Sequence, residues 1–171
     1  MKLGQLSSGY APVVKMSAGV EWAVHCCVLL SQAEGPVSAQ RLAEFHGVSR
    51  TYLAKHLQQL SRAGLVTSSE GRDGGYALTR AAEEITALDV VLAIEGSEPS
   101  FRCTEIRQNG PLPASAQACR RPCGIARAMY AAEDAWRASL GAVTIADLAA
   151  GVEKDAGKQT FVRVRGWLAD A

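Results

Sequence analysis

The sequence predicts a mainly α-helical fold with one small β-hairpin in a chain of 171 residues. Hydrophobic residues make up 48% of the chain and aromatic residues only 6%, helix-capping residues recur at short intervals, and one Gly-rich segment separates two short apolar runs. Leu- and Ala-rich sequences with few β-branched runs favour helices. The length suits one compact domain with an arm or an additional helix.

Serine and glycine residues mark two consecutive helices in the first third of the chain. Ser38 is predicted to cap a short helix that ends at Gly47, and Ser49 a longer helix that ends before Gly64. Two helices joined by a tight glycine-containing turn are typical of a helix-turn-helix motif.

A β-hairpin is predicted directly after these helices. Residues 65–66 and 76–78 are short strand-forming runs, and the segment between them is rich in glycine, which tolerates the positive φ of a hairpin tip. Helix, turn, helix and hairpin together predict a winged helix-turn-helix module, which we assign to residues 17–96.

This module carries the residues expected to contact DNA. The net charge of the chain is only +1, but residues 41–80 contain six Lys or Arg against three Asp or Glu, which favours phosphate contacts. The second helix of such a motif enters the major groove N-terminal end first. The candidate DNA-binding residues are Ser49, Arg50, Thr51, Tyr52 and Lys55 on that helix and Arg72 at the hairpin tip. The competing interpretation is a helix pair that only fills a core beneath solvated charges, and the Gly-rich hairpin disfavours it.

The C-terminal half is predicted to form a loop, two helices and a tail. Residues 97–122 contain four prolines and are assigned to an irregular loop. Residues 123–150 are assigned to a long helix, whose apolar residues near heptad spacing suit pairing with a second copy, and to a short helix. Residues 1–16 are an N-terminal extension, and residues 151–171 are a tail that the sequence does not place.

Five cysteines, in a chain without an export signal, argue against structural disulfides in the reducing cytoplasm, where we expect this protein. Cys103, Cys119 and Cys123 have the spacing C-x15-C-x3-C. Pro122 is expected at the first position of the long helix, so that the helix dipole would stabilise a Cys123 thiolate. Nearby arginines, opposed only by Glu105, add positive charge. The pattern predicts a metal site or redox-active thiols.

Three cysteines do not complete the four-ligand shell usual for zinc or for iron–sulfur clusters. Glu21 and His25 lie one turn apart on the predicted first helix, residues 18–32, and both can point at one metal. By itself such a pair is more often a solvated helix face. Cys26 and Cys27 are expected to be buried apolar fillers rather than ligands.

Several short segments together carry a family resemblance. They are Gly-Val-Glu-Trp-Ala-Val-His (19–25), Val-Ser-Arg-Thr-Tyr-Leu (48–53), Gly-Leu-Val (64–66), Gly-Gly-Tyr (74–76), Leu-Asp-Val-Val (88–91) and the three cysteines before a long helix. In this combination the chain resembles the Rrf-type winged-helix transcription regulators, the group that contains IscR, NsrR and RirA. The resemblance implies a homodimer whose long helices pair, with a [2Fe–2S] or [4Fe–4S] cluster as sensor.

The cysteine spacing departs from that of IscR-like members, which have closer cysteines and a histidine shortly after the last one. Cys-Thr-Glu-Ile-Arg-Gln (103–108) and Ala-Trp-Arg-Ala-Ser-Leu (135–140) are more similar to the redox-sensitive, RsrR-like subgroup. That similarity implies a [2Fe–2S] cluster with four protein ligands. They are Cys103 and Cys123 of one subunit and Glu21 and His25 of its partner, with Cys119 as an alternative ligand.

The expected function is that of a cluster-dependent, redox-responsive repressor that binds a double-stranded DNA operator as a homodimer. Neither a phosphate-binding glycine loop nor a Ser–His–acid arrangement is apparent, so an enzyme is not expected, and the apolar runs are too short to cross a membrane. Two alternatives stay open. One is a cluster-free regulator with a reversible Cys119–Cys123 disulfide, and the other is a structural zinc protein whose helical module docks another protein.

Overall fold

The computed structural model of this protein describes residues 16–71 and 74–170. These residues form seven α-helices and one two-stranded antiparallel sheet. The helices are α1 (Ala18–Leu30), α2 (Ala39–His46), α3 (Arg50–Arg62), α4 (Ala87–Glu95), α5 (Gly124–Gly141), α6 (Ile145–Ala156) and α7 (Gln159–Ala169), and the strands are β1 (Val66–Ser69) and β2 (Gly75–Leu78). The predicted mainly helical fold with one hairpin is confirmed.

The two helices of the helix-turn-helix motif begin and end where their caps predict. The Ser38 hydroxyl accepts a hydrogen bond from the Arg41 N–H at 3.1 Å, and the Ser49 hydroxyl accepts one from the Tyr52 N–H at 3.2 Å. Each bond satisfies one of the amide donors that a helix start leaves free. Gly47 ends α2 at φ 65°, a left-handed conformation that glycine adopts without a Cβ penalty.

The hairpin lies against the segment that leads into α2. Val66 pairs with Leu78 and Ser69 with Gly75, and one further bridge joins Val37 to Tyr76. A Cβ atom on Gly75 would lie 2.4 Å from the Val37 carbonyl oxygen, so the hairpin can approach this segment only because position 75 has no side chain.

Two helix boundaries differ from their predictions. Pro122 precedes α5, and Cys123 is the N-cap residue instead of lying in the first turn. The helix α1 ends at Leu30, two residues early, and the Ser17 side chain makes no capping bond. Instead the Ser17 backbone N–H donates to the Glu95 carboxylate at 2.7 Å, which ties the start of α1 to the end of α4.

A single apolar core lies beneath α1, α3, α4 and α6, and the fully buried Leu53, Leu57 and Leu60 of α3 form its centre. We expect Leu57→Ala to lower the free energy of unfolding by about 2–5 kcal/mol, because it removes buried methyl groups and leaves a cavity. Chemical denaturation measures this loss. The control Gln58→Ala, at an exposed position of the same helix, is expected to change it by less than about 0.5 kcal/mol. Equal effects of the two substitutions would contradict this description of the core.

The tail that the sequence does not place forms the helix α7. Its Phe161 and Val164 side chains are 7% and 9% exposed and belong to the core. The N-terminal extension lies outside the described residues except for Met16. Among the residues that the structure describes, no helix is long and apolar enough to span a membrane.

Candidate nucleic-acid interface and metal centre

The start of α3 presents a polar, basic surface. Ser49, Arg50, Thr51 and Lys55 are exposed, and Tyr52 is 44% exposed. No acidic residue lies in the first turn of α3, so the positive end of its dipole is unopposed there and favours contact with a phosphate. The predicted contact residue Arg72, at the hairpin tip, lies outside the described residues.

Two of the six basic residues counted for the DNA-binding module are engaged by the protein itself. Arg41 packs on the Trp167 ring, with its guanidinium carbon 3.6 Å from the ring centroid. Arg80 donates to the Glu84 carbonyl at 3.0 Å and lies 3.5 Å from the Asp89 carboxylate. The basic charge available to DNA is therefore smaller than the sequence count indicates, and within the described residues it is concentrated on α3.

The cysteine loop and the start of α5 enclose one cavity of about 620 Å³. Its walls are residues 101–107 and 123–126, so Cys103 and Cys123 line the same space. Cys103 is exposed and Cys123 is half-buried. Cys119 is half-buried and is not one of the lining residues. Of the three predicted loop cysteines, the fold thus brings the two that were singled out as ligands to one site.

Cys123 has the local environment of a thiolate. Its Sγ atom accepts a hydrogen bond from the Ala126 N–H at 3.4 Å at the start of α5. This bond lowers the pKa of the Cys123 thiol, with smaller contributions from the Ile125 N–H and the charge of Arg107. A helix N-terminus that donates to sulfur favours the deprotonated form that binds metals.

Arg107 holds the cysteine loop together. It pairs with the Glu105 carboxylate through two nitrogens, one of them at 2.9 Å, and donates to the Ala118 and Arg121 carbonyl oxygens at 3.2 and 3.1 Å. It therefore connects the segment after Cys103 to the segment before Cys123. The prediction that only Glu105 opposes the local arginines is wrong, because Arg102 pairs with Glu98.

The other two predicted ligands lie on α1. Glu21 and His25 are both exposed, one turn apart, and neither lines the cavity of Cys103 and Cys123. The neighbouring Cys26 and Cys27 are fully buried, as predicted, and burial raises the pKa of each thiol to about 12. These two thiols are therefore kept protonated and are poor metal ligands.

Within the described part of the chain, no group of three His, Cys, Asp or Glu side chains is arranged to hold a metal ion. The donor set of one chain is thus two sulfurs beside a helix N-terminus and the positive charge of Arg107. Thiolates in a setting of amide donors are the usual ligands of iron–sulfur clusters. The two sulfurs would fit half of such a four-ligand shell.

Comparison with known proteins decides the family. Residues 16–151 match the model of the Rrf2 family, which is described as an iron-dependent transcriptional regulator. The chain belongs to the Rrf2 family. It is 36% identical to the protein rrf2 of Nitratidesulfovibrio vulgaris over 123 residues, which cover 71% of this chain and 76% of that relative. It is also 38% identical to the transcriptional regulator IscR of Photorhabdus laumondii over 76 residues, 44% of this chain and 46% of that relative.

Solved structures of Rrf2-family members share the fold. CymR of Bacillus subtilis, described as the global cysteine regulator, superposes with a TM-score of 0.62 at 27% identity, covering 81% of this chain and 98% of that one. IscR of T. potens superposes with a TM-score of 0.59 at 26% identity, covering 86% and 92%. The protein is therefore a DNA-binding transcriptional regulator with a winged helix, and the prediction that it is not an enzyme agrees with these relatives.

Sequence reasoning missed two contacts of this Rrf2-family chain. The His25 and His46 rings lie 6.0 Å apart, so α1 touches the end of α2, and burial together with the charge of His25 lowers the pKa of His46. Trp167 packs over Arg41 from α7, which lies beyond the residues that match the family model. Neither contact leaves a signal in spacing, because each joins residues far apart in the sequence.

Proposed function

We propose that this Rrf2-family regulator is a homodimer that responds to redox state through a [2Fe–2S] cluster and represses transcription by binding a DNA operator. The observation that carries the proposal is the shared cavity of Cys103 and Cys123, while no group of three His, Cys, Asp or Glu side chains among the described residues of one chain could hold a metal ion. Four protein donors per cluster are usual. Glu21 and His25 of a second subunit can supply the other two donors, since both are exposed and lie one turn apart on α1.

Each proposed ligand has a defined local role. Cys123 is held at the N-terminus of α5, where the Ala126 amide favours its thiolate. Cys103 lines the same cavity, and Arg107 bonds to the Arg121 carbonyl oxygen two residues before Cys123. Glu21 and His25 would complete the shell from the partner subunit. When bound, the cluster supplies a one-electron change of charge at this site.

The first half of α5 provides a face for the second subunit. Ile125 and Met129 are 72% and 42% exposed, and they lie one turn apart on a helix that is 18 residues long. Large apolar side chains exposed in a row on one helix are typical of an interface between helices. Pairing through this face would bring the cysteine loop of one subunit towards the other subunit.

The contacts of α1 offer a route from the ligands to the DNA-reading helix. Trp22, between Glu21 and His25 in sequence, packs edge-on against Tyr52 of α3 with ring centroids 6.0 Å apart. Gly19 lies directly on His56 of α3, so close that a Cβ atom would be 2.6 Å from the imidazole. A shift of α1 is therefore transmitted to α3. A change of a degree or two in the angle between the two modules of a dimer would misalign their half-sites.

Anaerobic purification followed by a visible spectrum and iron and sulfide assays tests the proposal. We expect broad visible absorbance that falls on reduction, with about two irons and two sulfides per chain. The same sample, oxidised and then reduced, is expected to differ in its affinity for a DNA duplex selected by the protein from a random pool. Stoichiometric zinc without iron, or equal affinity in both states, would contradict the proposal.

A cluster-free thiol switch is the second candidate. Cys119 and Cys123 are both half-buried, and Arg107 donates hydrogen bonds to the carbonyl oxygens of Ala118 and Arg121, which lie next to Cys119 and two residues before Cys123. A solved CymR from Staphylococcus aureus, 27% identical to this chain, is described in an oxidised form. Under this candidate the protein is colourless, oxidant changes its DNA affinity, and Cys119→Ser removes the response.

A further inference from the structure

The helix α7 lies beyond residue 151, where the match to the Rrf2 family model ends. It is nevertheless part of the core, because Phe161 and Val164 are more than nine-tenths buried. Its outer face is only partly exposed to solvent, because one side chain on it packs against the DNA-binding motif. Trp167, near the end of α7, packs against Arg41 and Phe45 of α2, the first helix of the DNA-binding motif.

The contact between Trp167 and Arg41 has two components. The Arg41 guanidinium carbon lies 3.6 Å from the Trp167 ring centroid, well within the range of a cation–π interaction. The same guanidinium donates a hydrogen bond to the Trp167 backbone carbonyl. The Phe45 ring adds a third contact, with its centroid 5.4 Å from that of Trp167. A second contact lies two residues earlier on α7. The Arg165 guanidinium donates a hydrogen bond at 2.9 Å to the side-chain oxygen of Gln32, which follows α1.

The contacts of Trp167 with Arg41 and Phe45 restrain α2, an element that has little stability of its own. The helix α2 has eight residues, and a helix of two turns depends on tertiary packing. It exposes Phe45 to 40% despite its apolar ring, so its outer side is not held by the core. In a helix-turn-helix module the first helix crosses the DNA backbone and sets the position of the second in the groove.

We propose that Trp167 is a positioning residue for DNA recognition. By clamping Arg41 it fixes α2, and hence α3, in the orientation that fits an operator half-site. Arg41 serves this clamp and not a phosphate. This role of Trp167 depends on DNA binding by the winged helix and does not require a cluster.

The test compares full-length Trp167→Ala, Trp167→Phe and the control Val162→Ala at a temperature where all are folded. Val162 is 52% exposed on the same helix. The probe is a duplex selected by the wild-type protein from a random pool, with an unrelated duplex of equal length for non-specific binding. We expect Trp167→Ala to bind the selected duplex roughly five-fold more weakly, the size of a partly desolvated cation–π contact. Non-specific affinity should stay unchanged, and both Trp167→Phe and Val162→Ala should retain most of the specific affinity.

A purely structural role would lower the melting temperature of Trp167→Ala and leave the ratio of specific to non-specific affinity at the wild-type value, which would overturn the proposal. Should Trp167→Ala fail to fold, Arg41→Gln provides the same test. We expect Arg41→Gln to lower specific affinity without changing the salt dependence of binding, because it removes the contact with Trp167. A salt dependence made shallower by about one unit would identify Arg41 as a phosphate contact and would also overturn the proposal.

Discussion

Cys103→Ala and Cys123→Ala are each expected to abolish the visible chromophore of the anaerobically purified protein. Both sulfurs line the same cavity, and Cys119, the third cysteine of the loop, does not line it. Cys26 and Cys27 are fully buried with pKa values raised to about 12. Visible absorbance and iron content per chain measure the loss, which we expect to be nearly complete.

Cys119→Ala is the matched control for these substitutions. Cys119 belongs to the same loop but does not line the cavity, so the variant should keep its colour and most of its iron. Full colour in both Cys103→Ala and Cys123→Ala would refute the assignment of the ligands. Loss of colour only in Cys119→Ala would assign the cluster to Cys119 instead of the two cysteines of the cavity.

Arg50→Ala combined with Lys55→Ala is expected to weaken DNA binding about ten- to a hundred-fold, because two cations at the start of the recognition helix are lost. Both residues are exposed, and neither forms an ion pair within the described residues. If both residues contact phosphates, the slope of the logarithm of affinity against the logarithm of salt concentration becomes shallower by about two units. Fluorescence anisotropy at several salt concentrations measures both quantities.

The control double variant also removes two positive charges, but away from the start of α3. Arg62→Ala combined with Lys154→Ala takes one cation from the opposite end of α3 and one from α6, and should change affinity by less than about three-fold through the general field alone. Equal losses from the two double variants would mean that net charge, and not the start of α3, determines binding. The core of the module should be unaffected in both cases.

The helix-turn-helix module was predictable because its signals are local. Ser38, Gly47 and Ser49 mark helix boundaries through hydrogen bonds to residues within one turn, and such bonds depend on nearest neighbours in sequence. The same holds for the helices α4 and α6, whose Thr-x-x-Asp capping boxes both form, at Thr86 and Thr144. These elements follow from spacing alone.

The cysteine site was predictable only in part, for an equally physical reason. A thiolate-favouring helix start at Cys123 can be inferred from Pro122 and the following helix, although α5 begins two residues later than predicted, at Gly124. That Arg107 bonds to Ala118 and Arg121 depends on how an irregular loop folds back on itself. The clamp of Arg41 by Trp167 spans 126 positions, which no periodicity can reveal.

If the cluster is held between two subunits, a mixed dimer will distinguish this arrangement from ligation within one chain. One subunit carries Glu21→Ala with His25→Ala, the other carries Cys103→Ala with Cys123→Ala, and two different affinity tags isolate the heterodimer. Neither variant should hold a cluster as a homodimer. If the ligands come from both subunits, the heterodimer contains one complete set and recovers about half of the wild-type iron and visible absorbance per dimer. If all four ligands belong to one chain, the heterodimer contains no complete set, and a colourless, iron-free mixed dimer would contradict the account.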